Sequence, residues 1–446
     1  MKRGTGSLLF GLLICATCER PFVEVNEPSI QVVSPDLSEV QLDQVIDLRV
    51  QAKSFRPVGN VFVNGAPMQP SQQETDYWGL AISLRPGLNT LILDATDVEN
   101  VTRTDTAFAV YLSYRITHNA PHLPEARGGH AVAQLPDGRL MVTGGAARAG
   151  GLGTGDVFVF DRNSGSFTRA NSRLVTPRTG HTATVFSGNR ILVAGGSRID
   201  RPSSVSDLVE SVELFEPDDI GGTFRELHVE GQPIRRTEHT AVLRNTGHEL
   251  LLDLLGGQGD TRYGSSPFLG VRQDLRRFRL EGDTLVALNN LVTAAYANEP
   301  LFGHTETRIQ VGPYFVLGNR FVNGRAIHAS LRVDYPSETQ IRFSDAPAFI
   351  APRTRHAAAP VLNNLLLIFG GHQNSPSEIV IGMEVLSDAA DRFFTLPGTY
   401  VARGRYSHAA VTMSNREVLI IGGFSHDGTA HAASEFFVVA PQEQVW

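Results

Sequence analysis

The chain has 446 residues, of which 41% are hydrophobic and 43 are glycine. This length exceeds that of one ordinary hydrophobic core, and the composition excludes an intrinsically disordered protein, because it is that of a globular chain rich in turns. The formal net charge is -7. Such a chain has no overall positive field, so we expect no nucleic acid partner.

The N-terminus has the features of an export signal. A basic start, Lys2-Arg3, precedes an apolar run over 8–14 that is too short to span a bilayer, and Cys18 follows. This pattern resembles a bacterial lipoprotein leader, and the resemblance implies that Cys18 becomes the lipidated first residue. We therefore expect residues 1–17 to be a signal peptide and 18–27 a tether. The protein is then an outer-membrane lipoprotein of the cell envelope, or a secreted protein if Cys18 is not lipidated.

Short β-rich segments separated by turn signals occupy residues 28–116. Asn64-Gly65 is one such signal, and the regular spacing of the segments is typical of a β-sandwich. The stretches 61–65 and 87–97 resemble bacterial immunoglobulin-like modules, which implies a spacer domain. The predicted strands are Ser29 to Val33, Val45 to Gln51, Val61 to Val63, Leu80 to Leu84, Thr90 to Leu93 and Phe108 to Tyr114.

Residues 117–446 repeat with a period of about fifty residues, which is typical of propeller blades. In most copies a strand follows an aligned histidine, and a second apolar strand then ends in two glycines, such as Gly144-Gly145. A residue that recurs in every copy indicates packing rather than a metal site, so we expect no metal and no cofactor. The six aligned histidines are His130, His181, His239, His304, His356 and His408.

These repeats resemble the kelch pattern. The resemblance implies an all-β fold in which a six-bladed kelch-type β-propeller follows a small Ig-like β-sandwich. The fourth copy departs from the pattern, because Leu317-Gly318-Asn319 stands where the diglycine is expected, and we predict a distorted blade there. Either the strand near Tyr114 to Thr117 or the tail near Phe436 to Val439 closes the last blade.

Five of the six copies have an arginine three residues before the histidine, whereas the fourth copy has Leu301. Equivalent positions in a radial structure form a ring, and strand direction places the long loops after the diglycines beside it. Because guanidinium groups bind carboxylate, sulfate and phosphate, we expect this rim to bind an acidic peptide, an acidic glycan or an envelope protein. The alternative is that these arginines bond only to neighbouring loops. They are Arg127, Arg178, Arg236, Arg353 and Arg405.

Two other classes of function stay open. A scaffold protein of the envelope needs no special residues. An enzyme of the sugar mutarotase or lyase type would use a carboxylate or histidine for proton transfer, with Glu306, Asp260, His372 and His426 as candidates, although their spacing marks no catalytic residue. Copper-radical oxidases resembling galactose oxidase need a cysteine in the propeller. They are excluded in their usual form, since both cysteines lie in the leader.

Overall fold

The computed structural model describes residues 27–218, 221–263, 266–272, 274–288, 301–309, 313–322, 325–337, 340–398 and 404–440. The predicted leader and Cys18 lie outside these residues. The described part of the chain is all-β, and its helical structure consists of two 3-10 turns, Ser187–Asn189 and Val205–Asp207. None of its helices is long and apolar enough to cross a membrane.

Residue contacts divide the chain into two compact units. The described residues of the smaller unit are 27–31, 49–80 and 92–105, and the larger unit takes in 32–48, 81–91 and the described residues from 106 onward. The predicted domain boundary after residue 116 stays a prediction.

The first eight strands form two four-stranded sheets, with the orders β1-β2-β6-β5 and β4-β3-β7-β8. Side chains alternate between buried and more exposed along β2, so one face of that strand packs into a core. Each of the six segments predicted as strands in this region overlaps an observed strand. The strands are β1 (Ser29–Ser34), β2 (Val45–Lys53), β3 (Val58–Val63), β4 (Ala66–Pro67), β5 (Gln69–Pro70), β6 (Tyr77–Ser83), β7 (Gly87–Asp97) and β8 (Thr102–Tyr111).

The next strands build three four-stranded antiparallel sheets. Sheet 1 is β10 to β13, sheet 2 is β14 to β17, and sheet 3 is β19, β20, β23 and β24. Sheets 2 and 3 are joined by parallel pairing of β17 with β24, and β18, β21 and β22 form a small additional sheet. The strands are β9 (Tyr114–Thr117), β10 (Ala131–Gln134), β11 (Leu140–Thr143), β12 (Val157–Asp161), β13 (Ser166–Arg169), β14 (Thr182–Phe186), β15 (Arg190–Ala194), β16 (Val212–Glu216), β17 (Thr223–Glu230), β18 (Arg236–Thr237), β19 (Thr240–Asn245), β20 (Leu250–Leu255), β21 (Gln258–Tyr263), β22 (Ser266–Val271), β23 (Leu275–Glu281) and β24 (Thr284–Leu288).

Three further four-stranded sheets complete the fold. Sheet 4 is β25 to β28, sheet 5 is β29 to β32, and sheet 6 has the order β33-β34-β35-β9. Both segments proposed for closure therefore belong to sheet 6, because Phe436 pairs with Thr117 and Val439 with Tyr114. The strands are β25 (Thr305–Arg308), β26 (Tyr314–Val322), β27 (Arg325–Asp334), β28 (Arg342–Asp345), β29 (Ala357–Val361), β30 (Leu365–Phe369), β31 (Met383–Ser387), β32 (Arg392–Leu396), β33 (Ala409–Ser414), β34 (Glu417–Ile421) and β35 (Ser434–Val439).

The first strands of the six sheets contact one another in a closed cycle. Strand β10 contacts β14, the contacts continue through β19, β25, β29 and β33, and β33 contacts β10. The fold is thus an all-β arrangement of many small antiparallel sheets that is compatible with a β-propeller. Apolar clusters fill the space between consecutive sheets. Along β15, for example, Ile191 and Val193 pack with sheet 1, whereas Leu192 and Ala194 pack with sheet 3.

A closed belt of main-chain hydrogen bonds joins the six residues that immediately precede the aligned histidines. Each N–H donates to the C=O of the preceding member, and Gly129 closes the belt by donating to Ser407, with N···O distances of 2.5 to 3.0 Å. All six residues have φ between 51° and 65°, in the left-handed region. We call this set the belt. Its members are Gly129, Gly180, Glu238, Gly303, Arg355 and Ser407.

The first glycine of the diglycine makes room for the histidine of the next sheet. A Cβ at Gly144 would lie 2.6 Å from Cε1 of His181 and 2.4 Å from the carbonyl oxygen of Arg178. The diglycine of one sheet and the aligned histidine of the next sheet therefore contact each other. In the fourth copy β26 continues through Gly318 to Val322, so an extended hairpin replaces the diglycine loop.

Candidate functional site

The five aligned arginines are buried, with relative exposures of 0% to 1%. In each copy Nη1 donates to the carbonyl oxygen of the first glycine of the diglycine, at 2.9 to 3.2 Å. Burial lowers the pKa of Arg127 and Arg236 to about 10, which leaves both side chains charged at neutral pH. These charges therefore need partners inside the protein.

Acidic groups supply those partners in all five copies. Arg178, Arg353 and Arg405 pair with Glu213, Glu384 and Glu435, the second residues of β16, β31 and β35. Arg236 pairs with Asp274 at 3.2 Å. Arg127 pairs with Glu125 at 3.3 Å and lies 4.0 Å from the ring centroid of Phe158, which stands second in β12.

These five arginines therefore lie inside the protein, and the ligand binding predicted for them stays a prediction. Each guanidinium bonds to a main-chain carbonyl group and to a carboxylate of the protein, and this geometry fits the structural alternative. The neighbouring loops also bond to one another, since Ala149 N–H donates to Gly428 and Gly153 N–H to Arg198, both at 2.8 Å.

The aligned histidines connect neighbouring sheets. Thr240 and Thr305 contact Nε2 of the next histidine, His304 and His356, at 3.1 and 3.0 Å. Burial lowers the pKa of His356 well below its ordinary value, so the ring is neutral at physiological pH. Packing and hydrogen bonding account for the recurrence of this residue.

The four enzyme candidates have separate surroundings. Asp260 lies beside Arg235, at 3.4 Å, and His372 packs edge to face on Tyr406 with ring centroids 5.1 Å apart. His426 is exposed on the loop after β34. The structure thus places them in different environments and does not assemble them as one catalytic group.

Glu306, the fourth candidate, is half-buried beside a cavity wall. Its carboxylate accepts hydrogen bonds from Thr240 Oγ1 at 2.7 Å and from Tyr335 Oη at 3.2 Å. Burial raises the pKa of Glu306 to about 7, and the nearby Asp253 carboxylate acts in the same direction. This carboxyl group can therefore hold or release a proton near neutral pH.

A cavity of about 720 Å³ opens between sheets 3 and 4. It lies at the end of these sheets away from the diglycine positions, because the β19–β20 turn, the end of β25 and the starts of β26 and β28 line it. Its volume is in the range of small-molecule sites. The lining residues are Leu243, Arg244, Asn245, Thr246, Arg308, Tyr314, Val333, Asp334, Tyr335, Pro336 and Arg342.

Positive charge dominates this cavity. Arg342 is exposed and has no hydrogen-bond or ion-pair partner among the described residues, although Asp334 is its cross-strand neighbour. The guanidinium of Arg308 lies 5.6 Å from the ring centroid of Tyr314. Arg244 lies 4.4 Å from the ring of Tyr335 and pairs with the buried Asp253 at 3.1 Å. Three arginines thus line the cavity with a single carboxylate.

The arginines of this cavity were not predicted from the sequence as site residues. They lie outside the aligned positions, on strand ends that the histidine and diglycine pattern does not mark. One signal did point to this region, since the fourth copy lacks both the arginine and the diglycine, with Leu301 and Leu317-Gly318 in their places. Neither a protein-family model nor a curated protein matches the chain.

Proposed function

We propose that the chain is a binding protein anchored in the cell envelope, and that its β-propeller recognises an acidic peptide or glycan in the cavity between sheets 3 and 4. The observation that carries the proposal is the cavity of about 720 Å³ lined by Arg244, Arg308 and Arg342. Carboxylate, sulfate and phosphate groups match the guanidinium donors in charge and geometry.

The proposed architecture is a six-bladed kelch-type propeller behind an Ig-like spacer. The closed cycle of six first strands and the contact of each histidine with the preceding sheet support six blades. Two four-stranded sheets over 29–111 support a β-sandwich. The anchoring proposal rests on the leader sequence and on Cys18, and metabolic labelling with a fatty acid analogue tests it by comparison with Cys18→Ser.

Arg342 is the residue best placed to contact a ligand. It is exposed, it lines the cavity, and its guanidinium is not committed to a partner among the described residues. A well-formed hydrogen bond to a charged group contributes about 1.5 to 3 kcal/mol. Exposed charges are screened by salt, so the affinity for an acidic ligand should fall as ionic strength rises.

The test is calorimetric titration of the purified chain with matched acidic and neutral peptides and oligosaccharides at two salt concentrations. We expect salt-sensitive binding of an acidic member, which Arg342→Gln weakens about tenfold or more, or about 1.4 kcal/mol. Arg85→Gln, an exposed arginine away from the cavity, is the matched control. If no acidic probe binds, or both variants bind like the parent, the proposal is wrong and a scaffold role is the better interpretation.

The second candidate function is an enzyme of the mutarotase or lyase type. The observation in its favour is the hydrogen bond between Glu306 and Tyr335, since the tyrosine lines the cavity and burial raises the pKa of the carboxyl to about 7. Such a group suits proton transfer at neutral pH. Incubation of acidic sugars with the parent and with Glu306→Gln tests it by NMR, and the absence of any glutamate-dependent conversion counts against catalysis.

A further inference from the structure

The belt contains two kinds of residue. Glycine occupies three of the six positions, whereas Glu238, Arg355 and Ser407 occupy the other three with φ of 55°, 54° and 51°. A left-handed conformation is unfavourable for a residue with a side chain. Glycine therefore suits the belt positions, whereas Glu238, Arg355 and Ser407 adopt there a backbone conformation that is unfavourable for residues with a side chain.

Glu238 and Arg355 form a bidentate ion pair across the belt. Arg355 Nε donates to Glu238 Oε2 at 3.1 Å, and Nη2 donates to Oε1. Both side chains are largely buried, at 8% exposure for Arg355 and 11% for Glu238. Gly303 stands between them in the belt, and a Cβ there would lie 2.8 Å from Arg355 Cγ. The ion pair therefore joins two belt members that are separated by one glycine, Gly303.

Further polar groups surround this ion pair. Arg201, which also has a left-handed φ of 59°, donates to Tyr406 Oη and lies 3.7 Å from the buried Asp200. His372 packs against Tyr406, and its ring interacts electrostatically with both Arg201 and Arg355. We call the set the belt cluster. Its members are Asp200, Arg201, Glu238, Arg355, His372 and Tyr406.

The belt cluster holds unused hydrogen-bonding capacity. Nη1 of Arg355 and Nη1 of Arg201 have no hydrogen-bond partner among the described residues. His372 is only 7% exposed, and neither ring nitrogen makes a well-formed hydrogen bond, although the Gln373 main chain is close. Buried polar atoms in native proteins usually have partners, including water or a ligand.

The positive and negative charges of the belt cluster are equal in number. Two carboxylates offset two guanidinium groups, and burial lowers the pKa of His372 to about 4, so its ring is neutral at pH 7. A neutral imidazole offers one donor and one acceptor. A charged ligand that reached Arg355 would have to separate its buried ion pair with Glu238, which is costly away from water. A hydroxyl group both donates and accepts, and it can bond while the pairs stay intact.

We infer that the belt cluster is a binding site for a neutral polyhydroxylated ligand, a mono- or oligosaccharide, held by His372, Arg201 and Arg355. This site is separate from the cavity between sheets 3 and 4, since the two share no residue. Its ligand also differs in charge from the acidic ligand proposed there. The two proposals can therefore fail independently.

The experiment compares the parent with Glu238→Gly/Arg355→Gly, which places at both positions the residue that the belt uses elsewhere. We titrate each protein with glucose, galactose, mannose, N-acetylglucosamine and their linear oligomers, and follow saturation-transfer NMR. The parent should bind at least one of these sugars. The double variant should melt within a few degrees of the parent, because strain relief offsets part of the lost ion pair, and should lose binding at least tenfold.

His372→Phe is the second variant, because it keeps the ring packing on Tyr406 and removes both nitrogens. It should also lose the sugar signal. If the double glycine variant fails to fold, this variant tests whether the belt cluster binds sugars. Arg85→Gln, an exposed arginine outside both proposed sites, is the matched control and should bind neutral sugars like the parent. The inference is overturned if the parent binds none of these sugars, or if a folded belt-cluster variant binds them as tightly as the parent.

Discussion

The guanidinium of Arg178 donates to the carboxylate of Glu213, and neither side chain is exposed to solvent. The same carboxylate accepts the N–H groups of Val175 and Thr176, at 2.8 and 3.0 Å, which fixes the approach to β14. Arg178 also donates to the carbonyl oxygen of Gly195 at 2.9 Å. One buried ion pair therefore ties the second and third strands of sheet 2 to the segment that precedes its first strand.

Arg178→Ala should destabilise the fold strongly, because it leaves the Glu213 carboxylate buried without its cation. Breaking one partner of a buried pair costs about 3 to 5 kcal/mol. Urea unfolding followed by circular dichroism measures the loss. Arg198→Ala removes an exposed arginine and should change the free energy of unfolding by less than about 0.5 kcal/mol. Similar losses in the two variants would contradict a buried structural pair.

Ala409→Thr should stabilise the protein by giving His130 a hydrogen-bond partner. Threonine follows three of the aligned histidines and contacts Nε2 of the next one, but alanine stands at 409, and both ring nitrogens of His130 are buried without a partner among the described residues. One hydrogen bond contributes about 0.5 to 1.5 kcal/mol. Thermal unfolding should show a higher melting temperature.

The matched control for this prediction is Ala131→Thr. The next histidine there is His181, whose Nε2 already contacts Thr143 Oγ1 at 2.9 Å. A new hydroxyl at 131 therefore has no unpaired nitrogen to satisfy. An equal gain in melting temperature from both substitutions would show that β-propensity, and not the histidine contact, is responsible.

Glu306→Gln should stabilise the protein at high pH and have little effect at low pH. Burial raises the pKa of Glu306 from 4.5 to about 7, so the folded state holds this proton more tightly than the unfolded chain does. The resulting stabilisation is complete below about pH 4.5 and is lost as the pH rises through 7. Glutamine resembles the protonated form, because it keeps one accepting oxygen and has one donating group at the two positions that contact Thr240 and Tyr335.

The difference in free energy of unfolding between Glu306→Gln and the parent should therefore grow by about 2 kcal/mol from pH 4.5 to pH 8, at about 1.4 kcal/mol per unit of pKa difference with allowance for partial exposure. Urea unfolding across this range measures it. Glu281→Gln, an exposed glutamate, should show no such growth. A constant difference across the range would mean that Glu306 is ionised in the folded protein as readily as in the unfolded chain.

Asp334→Asn should strengthen binding of an acidic ligand in the cavity between sheets 3 and 4. Asp334 is the cross-strand neighbour of Arg342, so removal of its charge raises the positive potential that the ligand meets. We expect a gain of about threefold to tenfold at low salt, or about 0.6 to 1.4 kcal/mol. Asp43→Asn, an exposed aspartate, serves as the control. Unchanged affinity would place the ligand elsewhere.

The sequence predicted the repeating frame of the fold because that frame depends on local patterns. Histidine, an alternating strand and a diglycine recur at similar spacing, and their contact requires the glycine at Gly144 and the ring at His181. The burial of the arginines was not predicted, since three of them pair with a glutamate 30 to 35 residues downstream on another strand. A signal did exist: Glu213, Glu384 and Glu435 stand alone among apolar residues in third strands, and an isolated acid in a buried strand indicates an internal cation.

Neither candidate site could be found from one copy of the repeat. Arg308 and Arg342 come from different strands of sheet 4, and Arg244 comes from sheet 3, so only their packing in space brings them to one cavity. Glu238 and Arg355 lie more than a hundred positions apart and meet because the belt closes on itself. The departure from glycine at these two positions was visible in the sequence, but its meaning depends on a left-handed φ that the sequence does not display.

The pairing of β9 with β35 has a consequence for the order in which the protein is made. Strand β9 begins at Tyr114, yet its partner ends at Val439, so the earliest strand of the six-sheet region is left without its neighbour until β35 has been translated. Through that interval β9 presents unpaired backbone groups that other strands could bind. Whatever protects the nascent chain must act until the residues of β35 have emerged.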